Sequence, residues 1–195
     1  MACEEWGSGD EVALLLHGKA GSSRSWWQVG PALASHGYRV LAVDFPGHGR
    51  SEPDPAASPE SFVEALVRSV PYPVALAVGH SLGGSVLARA VAGGRIRPAA
   101  AVYVEAPFAT PALTVGREEV RARYARLKAN CTETWYRQNR PAMLAGDIEA
   151  EAAASRAWDV DTAVSLSWHA AGRTTDLSPD IPSLNHPGRT QRRGR

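Results

Sequence analysis

The chain has 195 residues, of which 44% are hydrophobic and 21% charged, and its formal net charge at pH 7 is +1. This length and composition predict one globular unit with a sizeable buried core. The near-neutral charge gives no general attraction to nucleic acid or to an anionic membrane, so neither partner is expected. Cys3 and Cys131 are too few and too far apart for a disulfide scaffold or a metal site, and we expect free thiols.

The N-terminal region carries no recognisable secretory signal. Its first apolar run, VALLL (12–16), is short and follows several acidic residues. No segment approaches the roughly 18–20 apolar residues that a membrane-spanning helix needs. With the free thiols, these features predict a cytoplasmic protein.

Four short apolar runs follow one another between residues 12 and 108. Each run is almost continuously apolar rather than alternating, which is typical of parallel strands covered on both faces. The runs are VALLLHG (12–18), YRVLAVD (38–44), PVALAVGH (73–80) and AAAVYVEA (99–106).

Helical stretches separate these strands, near residues 25–36, 59–69 and 82–93. Gly37 is placed to end the first helix, and Ser58 before Pro59 is a typical helix start. The order βαβαβαβ predicts an α/β fold with a mostly parallel sheet and flanking helices.

The composition changes between residues 110 and 172, where Ala, Arg and Glu dominate and no strand-like run occurs. We expect several helices inserted after the fourth strand. Trp135, Trp158 and Trp168 lie in this stretch, and core packing is a more common role for them than lining a pocket.

The motif GHSLG (79–83) matches G-x-S-x-G between a predicted strand and a predicted helix. In this context the serine sits on a strained turn that lifts its hydroxyl out of the sheet, and the small residues Gly79 and Gly83 avoid clashes. The motif therefore predicts Ser81 as a nucleophile. The alternative is a tight strand–helix crossing that merely tolerates serine.

The segment LLLHGKAGSS (14–23) follows an earlier strand, where a backbone donor for an oxyanion would be needed. We expect one N–H of such a hole from Leu82, the residue after the nucleophile, and a second from Lys19 or its neighbour. His17 is interpreted as a structural histidine that braces the loop.

The segment DFPGHGRS (44–51) follows the second strand. Asp44 and His48 have the residue types of an acid–base pair, but the turn-forming residues explain the segment adequately. We therefore favour a structural role for it.

These motifs, in the order HG, DFPGHGRS and GHSLGG, resemble the α/β-hydrolase fold family over about residues 12–108. The resemblance implies a serine hydrolase that acts on an ester or related acyl bond of a small-molecule substrate, without a cofactor or metal. It also implies a division into an α/β-hydrolase core (1–109), a helical cap (110–172) and a shortened continuation of the core within 173–195. The last residues of that segment, GRTQRRGR, have the charge of a small basic arm for nucleic acid, but so short a stretch without aromatic residues is more typical of a disordered tail.

Members of that family place the catalytic acid and histidine after the serine. The segment LSPDIPSL (177–184) resembles the lead-in to the next strand, but the chain then reads NHPGRTQRRGR. We therefore expect the last two strands to be missing, through truncation or a lost reading frame.

Two histidines follow Ser81. His169 lies in the helical region, where a role on the helix surface or in the core competes with that of a base, and His186 could reach the site only if the tail folds back. Glu105 ends the fourth strand, where some relatives place the acid, although it can equally be a strand-end carboxylate in a loop. An acid without a histidine does little, since the acid orients the imidazole.

Two functional hypotheses remain open. One is a serine hydrolase, and the other is a catalytically impaired hydrolase-fold fragment or a ligand-binding module. A nucleotide-binding domain is disfavoured because neither phosphate-binding glycine motif is present. Without the last strands, an interior strand would become a sheet edge, so self-association through that edge is also expected.

Overall fold

The computed structural model describes residues 1–70 and 73–171. These residues contain a sheet of five strands, four of which match the predicted apolar runs. The strands are β1 (Cys3–Trp6), β2 (Glu11–Leu16), β3 (Tyr38–Val43), β4 (Leu76–His80) and β5 (Ala100–Val104).

The strand order in the sheet is β1-β3-β2-β4-β5. Strands β3, β2, β4 and β5 are mutually parallel, while β1 pairs antiparallel with β3. The predicted α/β class with a mostly parallel sheet is confirmed. Because β2 and β4 are parallel, their carboxyl ends lie at the same edge of the sheet. The loop that carries Lys19 follows β2 there, and the turn that carries Ser81 follows β4.

Strand β1 was not predicted from the sequence. It has only four residues, two of them glutamates, so it lacks an apolar signature. Its position is fixed by tertiary contacts: a side-chain carbon on Gly30 would overlap the Trp6 ring, so that glycine leaves room for the indole.

The interior strand β2 explains the continuous apolar runs. Leu14 and Leu16 pack in a large cluster on one face of the sheet, while Ala13 and Leu15 pack in a smaller cluster on the other. All four side chains are fully buried. Both faces of the strand are therefore covered, and the site lies at the end of a rigid element.

Three helices of the described chain alternate with strands β2 to β5, and four more follow β5 in the sequence. They are α1 (Val29–Ser35), α2 (Pro59–Ser69), α3 (Leu82–Ala92), α4 (Arg117–Asn130), α5 (Glu133–Asn139), α6 (Ala145–Ala157) and α7 (Val160–Ala171).

The predicted helix starts and stops are largely confirmed. Helix α2 begins at Pro59, where Ser58 and Ser61 exchange two backbone-to-side-chain hydrogen bonds of 3.0 Å. Gly37 follows α1 with a φ of 90°. The predicted helix 25–36 is instead divided into a 3₁₀ turn (Ser23–Trp26) and α1, because Ser22 caps a separate first turn.

Residues 110–171 form four helices and contain no strand, as the composition indicates. Helix α4 packs against α7, and α6 packs against the 3₁₀ turn. The Trp158 side chain is fully buried, and its carbonyl oxygen accepts a 2.6 Å hydrogen bond from Lys128 Nζ. None of the helices in the described part of the chain is long and apolar enough to cross a membrane.

Strand β5 forms one edge of the sheet, since within the described residues it pairs only with β4. Val102 and Val104 are 44% and 41% exposed there. The exposed edge carries unpaired backbone groups next to apolar side chains, which is a surface that favours strand pairing between molecules.

We expect the protein to self-associate as its concentration rises, and we expect a Val102→Lys/Val104→Lys variant to associate less, since charges on an edge strand oppose pairing. Sedimentation velocity over a concentration series measures this. Leu144→Lys, which changes an exposed apolar residue on another element, is the matched control. A wild-type chain that stays monomeric throughout would contradict the prediction.

The remaining predictions for the C-terminal end concern the strand lead-in at 177–184, His186 and the basic tail. All of these lie outside the described residues.

Candidate active site

Ser81 lies on a sharp turn between β4 and α3. Its backbone has a φ of 48° and a ψ of −112°, a conformation that a residue with a side chain rarely adopts. A side-chain carbon at Gly79 would lie 2.6 Å from the Gly84 Cα, and one at Gly83 would overlap the Leu16 carbonyl oxygen. The motif's glycines therefore allow the close packing that holds the strained serine in place.

The backbone of Ser81 is fixed, whereas its hydroxyl is not engaged. The Ser81 N–H donates a 2.8 Å hydrogen bond to the Val104 carbonyl oxygen. Among the described residues, the Ser81 Oγ has no hydrogen-bond partner, and Ser81 contributes to the wall of a cavity. The turn thus presents a free hydroxyl at the end of the sheet, beside the first N–H groups of α3, which have no partner within the helix.

The loop after β2 is braced by His17, as predicted. The His17 side chain is fully buried, and its Nε2 accepts a 3.0 Å hydrogen bond from the Phe45 N–H. Its Nδ1 lies 2.7 Å from the Gly18 carbonyl oxygen and donates to it. The imidazole therefore joins the loop after β2 to the loop after β3.

Lys19 connects the same loop to the helices that follow β5. Its Nζ donates hydrogen bonds to the Tyr124 hydroxyl on α4, at 2.7 Å, and to the Ser167 Oγ on α7, at 3.2 Å. In the described part of the chain, the Lys19 backbone N–H has no hydrogen-bond partner. Lys19, Ser81 and Leu82 line one cavity, so the structure brings the predicted nucleophile and both predicted oxyanion donors together.

The DFPGHGRS loop has the structural role that was favoured from the sequence. Asp44 is only 1% exposed, and its carboxylate accepts hydrogen bonds from the backbone N–H groups of Ser23, at 2.6 Å, and Arg50, at 3.2 Å. His48 is also buried, and its Nδ1 donates to the Pro46 carbonyl oxygen at 2.9 Å. Asp44 and His48 hold the loops beside the site and do not line the Ser81 cavity.

Burial disfavours the charged form of both buried histidines, and it lowers the pKa of His17 to about 4 and that of His48 to about 3. The ordinary histidine value is 6.5. As the pH falls below 6.5, the unfolded chain binds protons that the folded protein does not, so the free energy of unfolding decreases.

We expect each of these histidines to cost about 2 kcal/mol of stability between pH 7 and pH 5. Urea unfolding at the two pH values measures the loss. His48→Asn keeps a donor for the Pro46 carbonyl and should lose about half of this pH dependence, whereas His36→Asn, at an exposed histidine, should keep it. The same pH dependence in both variants would refute this assignment.

Glu105 directly follows β5 and has a φ of 50°. Its side chain is 84% exposed, and its Oε2 lies 3.9 Å from the Nε2 of His80. Within the described residues, this is the one histidine–carboxylate pair closer than 4.0 Å.

His80 is the site residue that the sequence reasoning missed, because its position inside the GHSLG motif indicates a residue of the turn, and the base is sought mainly among histidines after Ser81. Its ring lies against Gly18: a side-chain carbon there would be 2.8 Å from the His80 Nδ1 and 3.4 Å from the Ser81 Cβ. The Nδ1 edge of the ring and the Ser81 side chain therefore both border Gly18, while the Nε2 edge faces Glu105. Neither His80 nor Glu105 lines the Ser81 cavity itself.

His169 lies on α7 but is directed away from the cavity. Its Nδ1 is 2.9 Å from the Ala57 carbonyl oxygen and donates to it. The part of α7 that borders Ser81 comprises Leu166, Ser167, Ala170 and Ala171. His169 thus fixes α7 to the loop before α2.

The cavity beside Ser81 has a volume of about 280 Å³ and lies between α3, the chain after β5, α4 and α7. Its wall is largely apolar, with Leu82, Val86, Leu113 and Leu166 among its side chains. Such a space suits a small, mainly apolar ligand. The described residues include no group of three or more metal-ligating side chains.

A strained serine between a parallel strand and a helix, beside a cavity under helices, defines a protein of the α/β-hydrolase class. Residues 13–190 match the model of the "Alpha/beta hydrolase family", and the chain belongs to that family.

Comparison with solved structures gives the same fold. A bromoperoxidase from Bacillus anthracis has a TM-score of 0.65 and 22% identity, with 91% of this chain and 71% of that chain covered. E-2-(acetamidomethylene)succinate hydrolase has a TM-score of 0.66 and 20% identity, with 91% and 70% covered.

Curated relatives match over a shorter stretch. The protein ABHD14A of Rattus norvegicus is 40% identical over 78 residues, which are 37% of this chain and 32% of that protein. The pimeloyl-[acyl-carrier protein] methyl ester esterase of Sodalis glossinidius is 40% identical over 80 residues, which are 41% and 30%. The matched stretch thus spans about a third of the length of these relatives.

Proposed function

We propose that this protein is a serine hydrolase that cleaves an ester or related acyl bond, with Ser81 as the nucleophile. The observation that carries the proposal is the strained Ser81, whose hydroxyl is unpaired among the described residues and which shares a cavity wall with Leu82 and Lys19. The ester hydrolase among the relatives supports the choice of bond.

In the proposed reaction, the Ser81 Oγ attacks the carbonyl carbon of the substrate while its proton passes to a base. The N–H groups of Leu82 and Lys19 donate to the oxyanion that forms on the carbonyl oxygen. The bond to the leaving alcohol then breaks, and the alcohol takes up the proton from the base. Water repeats the sequence on the acyl-enzyme and restores the Ser81 hydroxyl.

The described residues favour His80 over His169 as the base in this proposal. The His80 Nδ1 and the Ser81 Cβ both border Gly18, so one water molecule can relay the proton, and the Glu105 carboxylate can orient the ring through Nε2. The His169 Nδ1 is instead engaged by the Ala57 carbonyl. The proposal thus keeps Glu105 as the acid and gives His80 the role of base.

A second candidate function follows from one observation. Because the Ser81 Oγ makes no hydrogen bond to a histidine of the described residues, the fold could bind a small acyl compound without turning it over. The two candidates differ in whether Ser81 becomes acylated.

Hydrolysis of short-chain p-nitrophenyl esters by the purified chain tests the proposal. Turnover that requires Ser81 supports the hydrolase, whereas ester binding without turnover supports the second candidate. No binding and no turnover would contradict both.

A further inference from the structure

One side of α3 carries both Ser81, at its start, and a cationic side chain that lines the same cavity. Ser81, Ser85 and Arg89 follow one another at intervals of four residues, and all three line the cavity. Such a spacing places them along one side of a helix. The Ser85 Oγ donates a 2.6 Å hydrogen bond to the Pro107 carbonyl oxygen, which leaves Arg89 as the next polar group beyond Ser81.

Arg89 has no ion-pair partner and no side-chain hydrogen bond within the described part of the chain. Other arginines of the surface are paired, for example Arg95 with Glu64 and Arg39 with Glu5. Arg89 is partly buried. On its outer side it borders a groove that also contains Glu60 and Glu64. The Glu64 carboxylate is engaged by Arg95, and neither glutamate forms an ion pair with Arg89.

The charged residues that the structure describes in the cavity wall are both cationic. Its described residues include Lys19 and Arg89 but no aspartate or glutamate. The Lys19 Nζ is engaged by Tyr124 and Ser167, so Arg89 is the cation that remains available to a ligand. The wall between is mainly apolar, with Leu82 and Val86 on α3 and Leu166 on α7.

This arrangement fits a ligand with an anionic end and an apolar middle. Eight helical residues at about 1.5 Å each separate the Cα atoms of Ser81 and Arg89 by about 12 Å. Arginine side chains on a helix lean toward its N-terminus, which is the end of α3 that Ser81 precedes. A guanidinium binds a carboxylate through two parallel hydrogen bonds, which also fixes the orientation of the ligand.

We propose that the substrate is an ester whose acyl chain ends in a carboxylate, as in a half-ester of a dicarboxylic acid, and that Arg89 binds that carboxylate. The inference rests on the proposed function, because it places the ester group at Ser81. It names the substrate class and makes Arg89 the specificity-determining residue.

Binding to the full chain carrying Ser81→Ala tests this without turnover. Monomethyl adipate carries one free carboxylate, and dimethyl adipate is the neutral analogue of nearly the same shape. By calorimetry we expect the monoester to bind roughly 10-fold more tightly or better, in line with a charge-assisted hydrogen bond. Arg89→Gln should abolish the difference, and Arg89→Lys should retain part of it.

Arg39→Gln is the matched control, since it removes the same charge from β3, outside the cavity, and its partner Glu5 does not lie beside Arg89. It should keep the preference for the monoester. Equal binding of the two esters, no detectable binding of either, or the same loss of preference in Arg89→Gln and Arg39→Gln, would overturn the inference.

The binding experiment and the hydrolysis experiment can fail independently of each other. If p-nitrophenyl esters are hydrolysed through Ser81 but the monoester has no advantage, the hydrolase proposal stands and the role of Arg89 falls. If the monoester binds through Arg89 but no ester is hydrolysed, the carboxylate site stands and the hydrolase proposal falls.

Discussion

Ser81→Ala is expected to lower kcat for p-nitrophenyl ester hydrolysis by about 10³-fold or more, because the acyl-enzyme cannot form without the hydroxyl. KM should change little, since the cavity wall of Leu82, Val86 and Leu166 remains in place. Initial rates over a range of ester concentrations measure the two constants separately.

Ser85→Ala provides a matched control for this variant. Ser85 lies one helical turn further along α3 and lines the same cavity. Its hydroxyl donates to the Pro107 carbonyl, whereas the Ser81 hydroxyl has no partner among the described residues. Its loss should change kcat by only a few fold. Ester hydrolysis that survives in Ser81→Ala would show that the activity belongs to another group.

His80→Gln is expected to lower kcat by about 10²- to 10⁴-fold, the usual contribution of a general base. Glutamine has a similar length and polarity, so the contact with Gly18 can be kept while the proton acceptor is lost. KM should stay near the wild-type value, because His80 does not line the cavity. Steady-state kinetics on the same ester series give this comparison.

His169→Gln is the control for that experiment, since glutamine can still donate to the Ala57 carbonyl oxygen. We expect its kcat to stay within a few fold of the wild-type value. A large loss in His169→Gln with a normal rate in His80→Gln would reverse the assignment of the base. Glu105→Gln should show a smaller loss than His80→Gln, because the carboxylate only orients the ring.

The parallel strands could be predicted because the residue pattern of each one lies within a short stretch of the sequence. Strands β2, β3 and β4 contain buried residues, and each is a short apolar run in the sequence. Strand β5 is also an apolar run, although it has no fully buried residue and exposes Val102 and Val104, so the expected cover on both faces is wrong for this strand. Ser58 with Pro59 marks the start of α2.

Strand β1 could not be predicted because its position depends on contacts between residues far apart in the sequence, such as Trp6 and Gly30. The division of the first helix likewise depends on the cap supplied by Ser22.

Some residues of the candidate site could be predicted from the sequence, and others could not. Ser81 could be predicted because strand, turn and helix are contiguous in the sequence. The pairing of His80 with Glu105 depends on the register of β4 and β5, which sets His80 beside Val104 and so brings the next residue close. The exposure of Arg89 to the cavity depends on how α3 faces α7, which no local pattern reveals.

The central claim is that Ser81 is a nucleophile in the folded chain, and reaction with a fluorophosphonate tests it most directly. The phosphonylated protein is digested with trypsin, and the peptide from residue 69 to residue 89 is sequenced by mass spectrometry. The account predicts one adduct, located on Ser81, that is retained in Ser85→Ala and absent from Ser81→Ala. A folded wild-type protein that remains unlabelled, or a label that persists in Ser81→Ala, would contradict it.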